Sequence, residues 1–452
     1  MEPANKIAKC ALDHYDSLGS KGKPRPLEEW TVFAAIVAQQ NDSLWVVASA
    51  TGSKCTTLGP DGVCLRDMHA EVLSKRGLQR VLWEEMKENK TIKDSLRVLE
   101  GKDGVYRLKE DLRLHLYISD SPCGDASIYK LSSGAINFTG AKAVLRDSTD
   151  NNNHNHNNKN HQLNVTQRLS TDSNIHMVGR EDEQLLGALR IKSGRSDIPA
   201  HLRSTCMSCS DKIFRWMTLG LQSSAMENIT PVRLSSIIVS HDPTCVALDQ
   251  HNALVRATKG RVQLVQEELL ELKDITETLE AFMFGLQHHP VSVHIVDQVF
   301  LQGMSETKCA VVYNQPMKSP DQSVVRAEKS SNRKRKRNCH IRKQASPCGF
   351  SLNWNAYDNT VEVVVGARGI LQGKKPKSTD CYIHLASRLC RQRMVQHCSL
   401  STGTNISYRT WKESKSKVWN EVRNIVLSVG SLVGWLRSDQ NFELNASTQK
   451  DG

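Results

Sequence analysis

An α/β fold is predicted, on three observations. Leu112, Leu114, Leu116 and Ile118 alternate with Arg113, His115 and Tyr117, the period-two pattern of a strand with one buried face. Between Asp67 and Met86, the positions Leu73, Gly77, Leu78, Val81 and Leu82 recur at helical spacing. A second helical stretch runs from Cys209 to about Ala225 with Ile213, Trp216, Met217 and Leu221, and strand-like Leu234–Val239 follows it. Helices and strands therefore alternate along the chain.

The elements follow in order. Trp30–Ala38 and Leu44–Ala50 are apolar runs separated by a Gln-Gln-Asn-Asp-Ser stretch, and they open the core. Asp67 stands where an N-cap would precede the first helix. The Leu112–Ile118 strand ends at Ser121-Pro122, and a helix is expected to start near Cys123, because proline breaks a strand and suits a first helical turn. From Asp147 the chain becomes too polar to bury a core, with an Asn/His-rich tract, and reads as a disordered insertion over 147–176. Its histidines lack a scaffold to fix metal geometry. A second polar interruption spans 318–345 and carries Arg333-Lys334-Arg335-Lys336-Arg337, which reads as a solvated loop, a nuclear localisation signal or an extra phosphate contact. The apolar pattern resumes as far as Leu444, and no internal repeat is evident.

Composition sets the bounds. The chain has 452 residues, 39% hydrophobic and 24% charged, enough for two or three average domains or one elaborated domain. No run of about 18 apolar residues is present, so no membrane partner is expected. Met1 to Cys10 lacks the apolar stretch of a secretory signal, which predicts a nuclear and/or cytoplasmic setting with reduced thiols. Thirteen cysteines at irregular spacing argue for buried thiols and a few metal ligands rather than a disulfide framework. A formal net charge of +12 favours polyanionic partners, although a basic protein without a nucleic-acid role fits the charge equally well.

Chemistry concentrates in three strings: His69-Ala70-Glu71, Pro122-Cys123-Gly124-Asp125-Ala126 and Ser208-Cys209-Ser210-Asp211-Lys212. Each is placed where a helix is expected to begin. A zinc deaminase needs three protein ligands, a fourth position open to water, and a carboxylate beside that water which is not itself a ligand. His69 supplies a ligand and Glu71 the carboxylate, while Cys123 and Cys209 complete the set. Helix N-termini favour the thiolate form that a metal requires. Glu71 would then take a proton from a zinc-activated hydroxide source and deliver it to the base and the departing ammonia. Taken alone, His-x-Glu is weak and any one cysteine reads as a small buried hydrophobe; the specificity lies in the combination. Cys206 and Cys209 also form a Cys-x-x-Cys, which leaves two candidates for the last ligand.

These strings, in this order, resemble the deaminase domain shared by adenosine deaminases acting on RNA and eukaryotic tRNA-specific adenosine deaminases of the alanine-tRNA type. The resemblance runs from Thr51-Gly52-Ser53-Lys54-Cys55 through the three strings and Arg215-Trp216 to Ser387-Arg388-Leu389-Cys390. It implies one domain over 1–445, with a cytidine-deaminase-like three-layer α-β-α core, a mixed sheet, and C-terminal helices and strands added to it. The Ser-Cys-Ser-Asp-Lys match selects Cys209 as the ligand and leaves Cys206 structural. Position 126 is Ala, so the Cys-x-x-Cys of nucleoside and bacterial-type tRNA deaminases is absent from this string.

The resemblance further implies Zn2+ and a buried inositol hexakisphosphate, with Lys75, Arg76, Lys212, Arg215, Trp216, Tyr408, Lys412 and Trp435 at the matching positions. Around Val418 and Val422 the sequence departs from the family by lacking a Tyr and a Lys. Ser53 and Lys54 correspond to residues beside the flipped nucleotide. The pattern begins within about the first 30 residues, leaving no room for separate double-stranded-RNA-binding domains. Residues Ile7 to Tyr15 resemble the start of the tRNA enzymes, so tRNA rather than DNA is the expected partner and the adenosine 3′ of the alanine anticodon the expected target. Two rival classes remain in view: a cytidine deaminase, distinguished by a uridine product, and a non-catalytic RNA-binding module that keeps zinc only for folding, against which an intact Glu71 argues.

Overall fold

The computed structural model describes residues 3–87, 93–138, 140–146, 175–178, 186–192, 199, 203–226, 228–270, 277–304, 345–373, 383–398, 406–414, 417–428, 435 and 443–444. Of the two expected insertions, 147–174 and 318–344 lie outside them, while Ile175–Val178 is a short strand.

Eight strands make the central sheet: β1 (Phe33–Gln40), β2 (Ser43–Thr51), β3 (Leu112–Ile118), β4 (Ser236–Ser240), β5 (Ser292–Val296), β6 (Phe350–Asn355), β7 (Glu362–Val365) and β8 (Ile370–Leu371). Their order is β5-β4-β3-β1-β2-β6-β7-β8, with β5, β4 and β3 parallel and every later pairing antiparallel. The sheet is mixed, as expected.

Alternation along β1 shows how the layers form. Ala34, Ile36 and Ala38 join the core under α2 (Ala70–Met86) and α3 (Cys209–Leu219), whereas Phe33, Ala35 and Val37 meet α1 (Pro3–Ser17) through Ile7, Ala11 and Tyr15. Both faces of the strand are apolar because both are covered by helices. Behind α3 pack α4 (Ala247–Val255), α5 (Arg261–Leu270) and α6 (Glu277–His288), and the C-terminal part adds α7 (Arg391–Cys398), α8 (Tyr408–Ser414) and α9 (Lys417–Ser428). Among the described residues no helix is long and apolar enough to cross a membrane.

Four local expectations are corrected. The Leu112–Ile118 strand has the expected limits, but only Arg113 is exposed. The second face is buried as well, with His115 bonded to Ser236 at 2.7 Å and Gln39 at 3.1 Å. Helix α2 starts at Ala70 with His69 as N-cap, so Asp67 is not the cap; its Oδ1 accepts from the His69 N–H at 3.1 Å while its other oxygen faces lysines. No α-helix begins at Cys123. The chain turns at Gly124 with φ 106°, forms only a short 3-10 turn over Asp125–Ser127, and gives the Cys123 carbonyl to Ser210 N–H at 3.0 Å. A backbone in the left-handed half of φ space cannot continue a right-handed helix. Finally, α3 stops at Leu219 rather than near Ala225, ended by Gly220 with φ 89°.

Candidate active site and metal centre

Two helix N-termini bring the three strings together. At α2, the His69 carbonyl accepts from Val72 and Leu73 N–H at 3.0 Å each, and Ala70 N–H reaches Gly52 O at 3.0 Å, fastening the helix start to the end of β2. At α3, the Ser208 hydroxyl accepts from Asp211 N–H at 3.2 Å, an N-cap that fixes Cys209 as the first helical residue. The Cys209 N–H points at Cys123 Sγ across 3.4 Å, so the open end of α3 serves Cys123 although that residue begins no helix of its own. Cys123 Sγ lies 3.8 Å from His69 Nδ1, and the ligand atoms of His69, Cys123 and Cys209 all fall within 4.8 Å of one another.

This donor set fits zinc. A tetrahedral ion with sulfur at about 2.3 Å and nitrogen at about 2.0 Å separates its ligands by about 3.6 Å, close to the His69–Cys123 spacing. Among the described residues the group brings two cysteines and one histidine and no fourth ligand, a donor set that matches the open type of zinc site rather than the closed structural one. Cys209 is buried and the other two ligands are half-buried.

Charge is arranged around the trio. A hydrogen bond from Cys209 pulls the Cys123 thiol well below its ordinary range against the cost of burial, aided by Lys192 and His69, whereas burial and the Cys123 charge push Cys209 up. Lys192 stands over the pair, its Nζ 3.1 Å from Cys209 Sγ and 2.8 Å from Asp67. Burial would discharge Lys192, but Asp67 and the nearby sulfurs hold it well above its usual value. Burial likewise opposes the Asp67 charge, and Lys192 and Lys212 outweigh it, keeping the carboxyl well below the carboxylate range. Lys212 pairs with the same Asp67 oxygen, which makes a continuous line Lys212–Asp67–Lys192–Cys209.

Glu71 sits in the first turn of α2, only 2% exposed. Burial and the Cys123 charge push its pKa up, with His69 and Lys192 pulling the other way. Its Oε2 is buried and meets no hydrogen-bond partner among the described residues, a costly arrangement unless a water or ligand completes it. The Ser53 hydroxyl is a second such atom. Lys54 beside it is half-buried, holds Met68 N–H through its carbonyl at 2.9 Å, and loses basicity through burial.

The residues expected around a polyanion come from α2, α3 and the C-terminal part. Arg76 is bonded to the Leu389 carbonyl at 3.1 Å and faces Arg391 and Tyr408, with the Arg391 guanidinium 5.5 Å from the Tyr408 ring centre. Arg215 lies 4.8 Å from the Trp435 ring centre, and Trp216 is buried in the main core. Lys212 turns to Asp67. Lys75 is half-buried next to Arg76 on α2; the backbone of Lys412 belongs to α8, and its side chain lies outside the described residues. Burial and the Arg391 charge both depress Arg76, the condition an anion would relieve, and Trp411 Nε1 is buried with no acceptor among the described residues.

Lys192, Arg391 and Trp411 were not legible as site residues in the sequence. Lys192 is a lone lysine after Leu189–Ile191, and nothing local marks it. Asp67 was visible, two positions before His69, but its position suggested a cap.

Comparison with known proteins identifies the family. The chain is 34% identical to the tRNA-specific adenosine deaminase 1 of Schizosaccharomyces pombe over 52% of its own length and 56% of the relative's. It is 30% identical to the Drosophila melanogaster protein of that name over 51% of this chain and 54% of the relative, so these matches span about half the length of either relative. With the Homo sapiens protein of that name, identity is 24% over 98% of this chain and 99% of the relative. The family model of the adenosine-deaminase (editase) domain matches residues 48–437, which takes in His69, Glu71, Cys123 and Cys209, and the chain belongs to that family.

Proposed function

We propose that this protein deaminates adenosine to inosine in a transfer RNA, with the adenosine 3′ of the alanine anticodon as target. The reaction consumes one water and releases one ammonia. The observation that carries the proposal is the convergence of His69, Cys123 and Cys209 within 4.8 Å, beside a buried carboxylate with an uncommitted oxygen. The names of the relatives support tRNA as the substrate class, and the net charge of +12 suits a phosphate backbone.

His69, Cys123 and Cys209 would hold zinc. When bound, zinc lowers the pKa of a water to about 7 and so makes a nucleophile available at neutral pH. Glu71 accepts the proton that this water sheds, at its free Oε2, as oxygen adds to carbon six of adenine. It then passes that proton to N1, takes the second proton from the oxygen added at carbon six, and hands it to the six-amino group, which leaves as ammonia as the carbon-six carbonyl forms. A carboxyl whose pKa is raised by burial is suited to both taking and returning a proton. Lys192 fixes the Cys209 sulfur, and Ser53 and Lys54 border the place where the flipped nucleoside enters. An anticodon-loop base is already partly unstacked, which lowers the cost of extruding it.

For the second expected cofactor, the half-buried Arg76, the adjoining Arg391 and the uncommitted Trp411 N–H suit a polyphosphate such as inositol hexakisphosphate, with Lys75, Arg215 and Lys412 as further cations. The deciding experiment treats purified alanine tRNA with the protein and with its Glu71→Ala variant and reads inosine by reverse transcription. Inosine at one site, made by the parent alone, is the expected result. A folded, zinc-loaded parent that makes no inosine across a total tRNA pool overturns the proposal.

A further inference from the structure

A second constellation lies beside the trio. Cys55, Asp67 and Cys206 bring their ligand atoms within 4.8 Å of one another. A metal ion is a poor occupant here, because the Asp67 carboxylate is already engaged by Lys192 at 2.8 Å and by Lys212, and a cation would meet both ammonium groups. What remains is a pair of thiols hydrogen-bonded to each other, neither of them used by the proposed reaction. Both cysteines are half-buried, within reach of a small solute.

Their backbones are tied to the site. Cys55 pairs with Asp67 in an isolated antiparallel bridge, and it follows Lys54, whose carbonyl holds Met68 beside His69. The Cys206 carbonyl accepts the Lys192 N–H at 2.7 Å, and Met207 bridges Ile191. Any movement of either sulfur toward the other therefore pulls on segments that position His69, Lys192 and Cys209.

We propose that Cys55 and Cys206 form an oxidant-sensitive dithiol, closed to a disulfide by hydrogen peroxide, and that closure shuts down the deaminase site. The activity consequence rests on the function proposed above; the disulfide does not. In the first step the Cys206 sulfur attacks one peroxide oxygen, the O–O bond breaks, and Cys206 becomes a sulfenic acid as one water leaves. The Cys55 sulfur then displaces that oxygen, which departs as a second water. Two thiols and one peroxide thus give one disulfide and two waters. Cys206, whose sulfur lies close to that of Cys55 and to the Asp67 carboxylate, is the attacking sulfur because a hydrogen bond from Cys55 and the Lys212 ammonium lower its pKa to about 5. A disulfide needs sulfurs about 2 Å apart, a closure the side chains can start by rotation and the backbone must finish. Displacements of about 1 Å in a catalytic arrangement cost on the order of 100-fold in rate.

The test uses the zinc-loaded, full-length, reduced protein. It is titrated with hydrogen peroxide, its remaining thiols are alkylated, and digested peptides are sequenced by mass spectrometry; fragment ions are needed because the peptides also carry Cys64 and Cys209. The expected result is a bridge between Cys55 and Cys206, a loss of inosine formation of about 100-fold that dithiothreitol reverses, and unchanged zinc content. Cys206→Ser should retain its activity when reduced and keep it in peroxide. Recovery of both cysteines alkylated after peroxide overturns the disulfide, and equal peroxide sensitivity of Cys206→Ser overturns the switch. A reduced parent that makes no inosine counts against the proposed function, while peptide mapping still decides the dithiol.

Discussion

Replacing Asp67 by Asn tests whether the lysine–carboxylate line is an electrostatic unit. Asn keeps the shape and one acceptor for the His69 N–H but removes the charge that Lys192 and Lys212 share. At 2.8 Å the Lys192 pair attracts by about 6 kcal/mol for an effective dielectric constant of about 20. Side-chain exposures of 6% for Lys192 and 4% for Asp67 mean that most of this offsets desolvation and is not net stability. The asymmetry matters more. Removing the carboxylate leaves two ammonium groups in a buried place, Lys212 being only 17% exposed, and breaking such a pair costs about 3–5 kcal/mol. Urea unfolding of the zinc-loaded protein, followed by tryptophan fluorescence, reads the loss, and metal analysis of the folded protein reads zinc retention. Adding Lys192→Met to Asp67→Asn should recover part of the cost, because the more buried of the two stranded charges is gone. A cost below about 1 kcal/mol for Asp67→Asn, or strictly additive costs in the double variant, would refute the reasoning and mean that water screens the line.

Three other outcomes are expected. Glu71→Gln should lower single-turnover inosine formation about 100- to 10,000-fold with little change in tRNA affinity, measured by filter binding, since a positioned proton shuttle contributes to rate rather than to binding. Gly124→Ala should destabilise the fold by about 2 kcal/mol and weaken zinc retention on dialysis. The glycine has φ 106°, and an added Cβ would lie 2.6 Å from the Cβ of Ser208, the residue that caps α3. Glu85, bonded to Val98 and Leu99 N–H but raised by burial from 4.5 to about 7, should make stability fall as pH rises. Below 4.5 both folded and unfolded states hold the proton; between the two values only the folded state does, and above about 7 the contribution is lost. The stability gap between Glu85→Gln and the parent should therefore move by about 3 kcal/mol in favour of the variant from pH 4 to pH 8, read from urea midpoints.

Local sequence carried what local physics decides. The Leu112–Ile118 strand follows from period-two alternation and the start of α3 at Cys209 from helical spacing, whereas α2 begins at Ala70 behind His69 and not behind the expected cap Asp67. Spacing failed where a distant contact outweighed a local preference. Pro122 is a fair signal for a helix start, yet Ser210 claims the Cys123 carbonyl from α3, 87 residues away, and the chain bends at Gly124 instead. Alternation in β3 suggested one buried face because His115 and Tyr117 are polar enough to pass for an exposed one; Ser236 and Ser240 on the neighbouring strand satisfy them inside.

The same reason explains which site residues were legible. His69, Glu71, Cys123 and Cys209 have chemistries that few other roles require in combination, so residue type and order point to them. Lys192 and Asp67 act by pairing with each other across 125 residues, and either alone resembles an ordinary lysine or a helix cap. Their pairing also limits what else the site can accept. An anion drawn to Lys212 from the side of Arg76 competes with Asp67 for the same ammonium, which frees Asp67 for Lys192 and tightens the hold of Lys192 on Cys209. On the function proposed above, polyanion binding and metal retention would be coupled through that one carboxylate. Under this argument the Asp67→Asn substitution should uncouple them, leaving zinc affinity indifferent to added polyphosphate, whereas the parent should hold zinc more tightly in its presence.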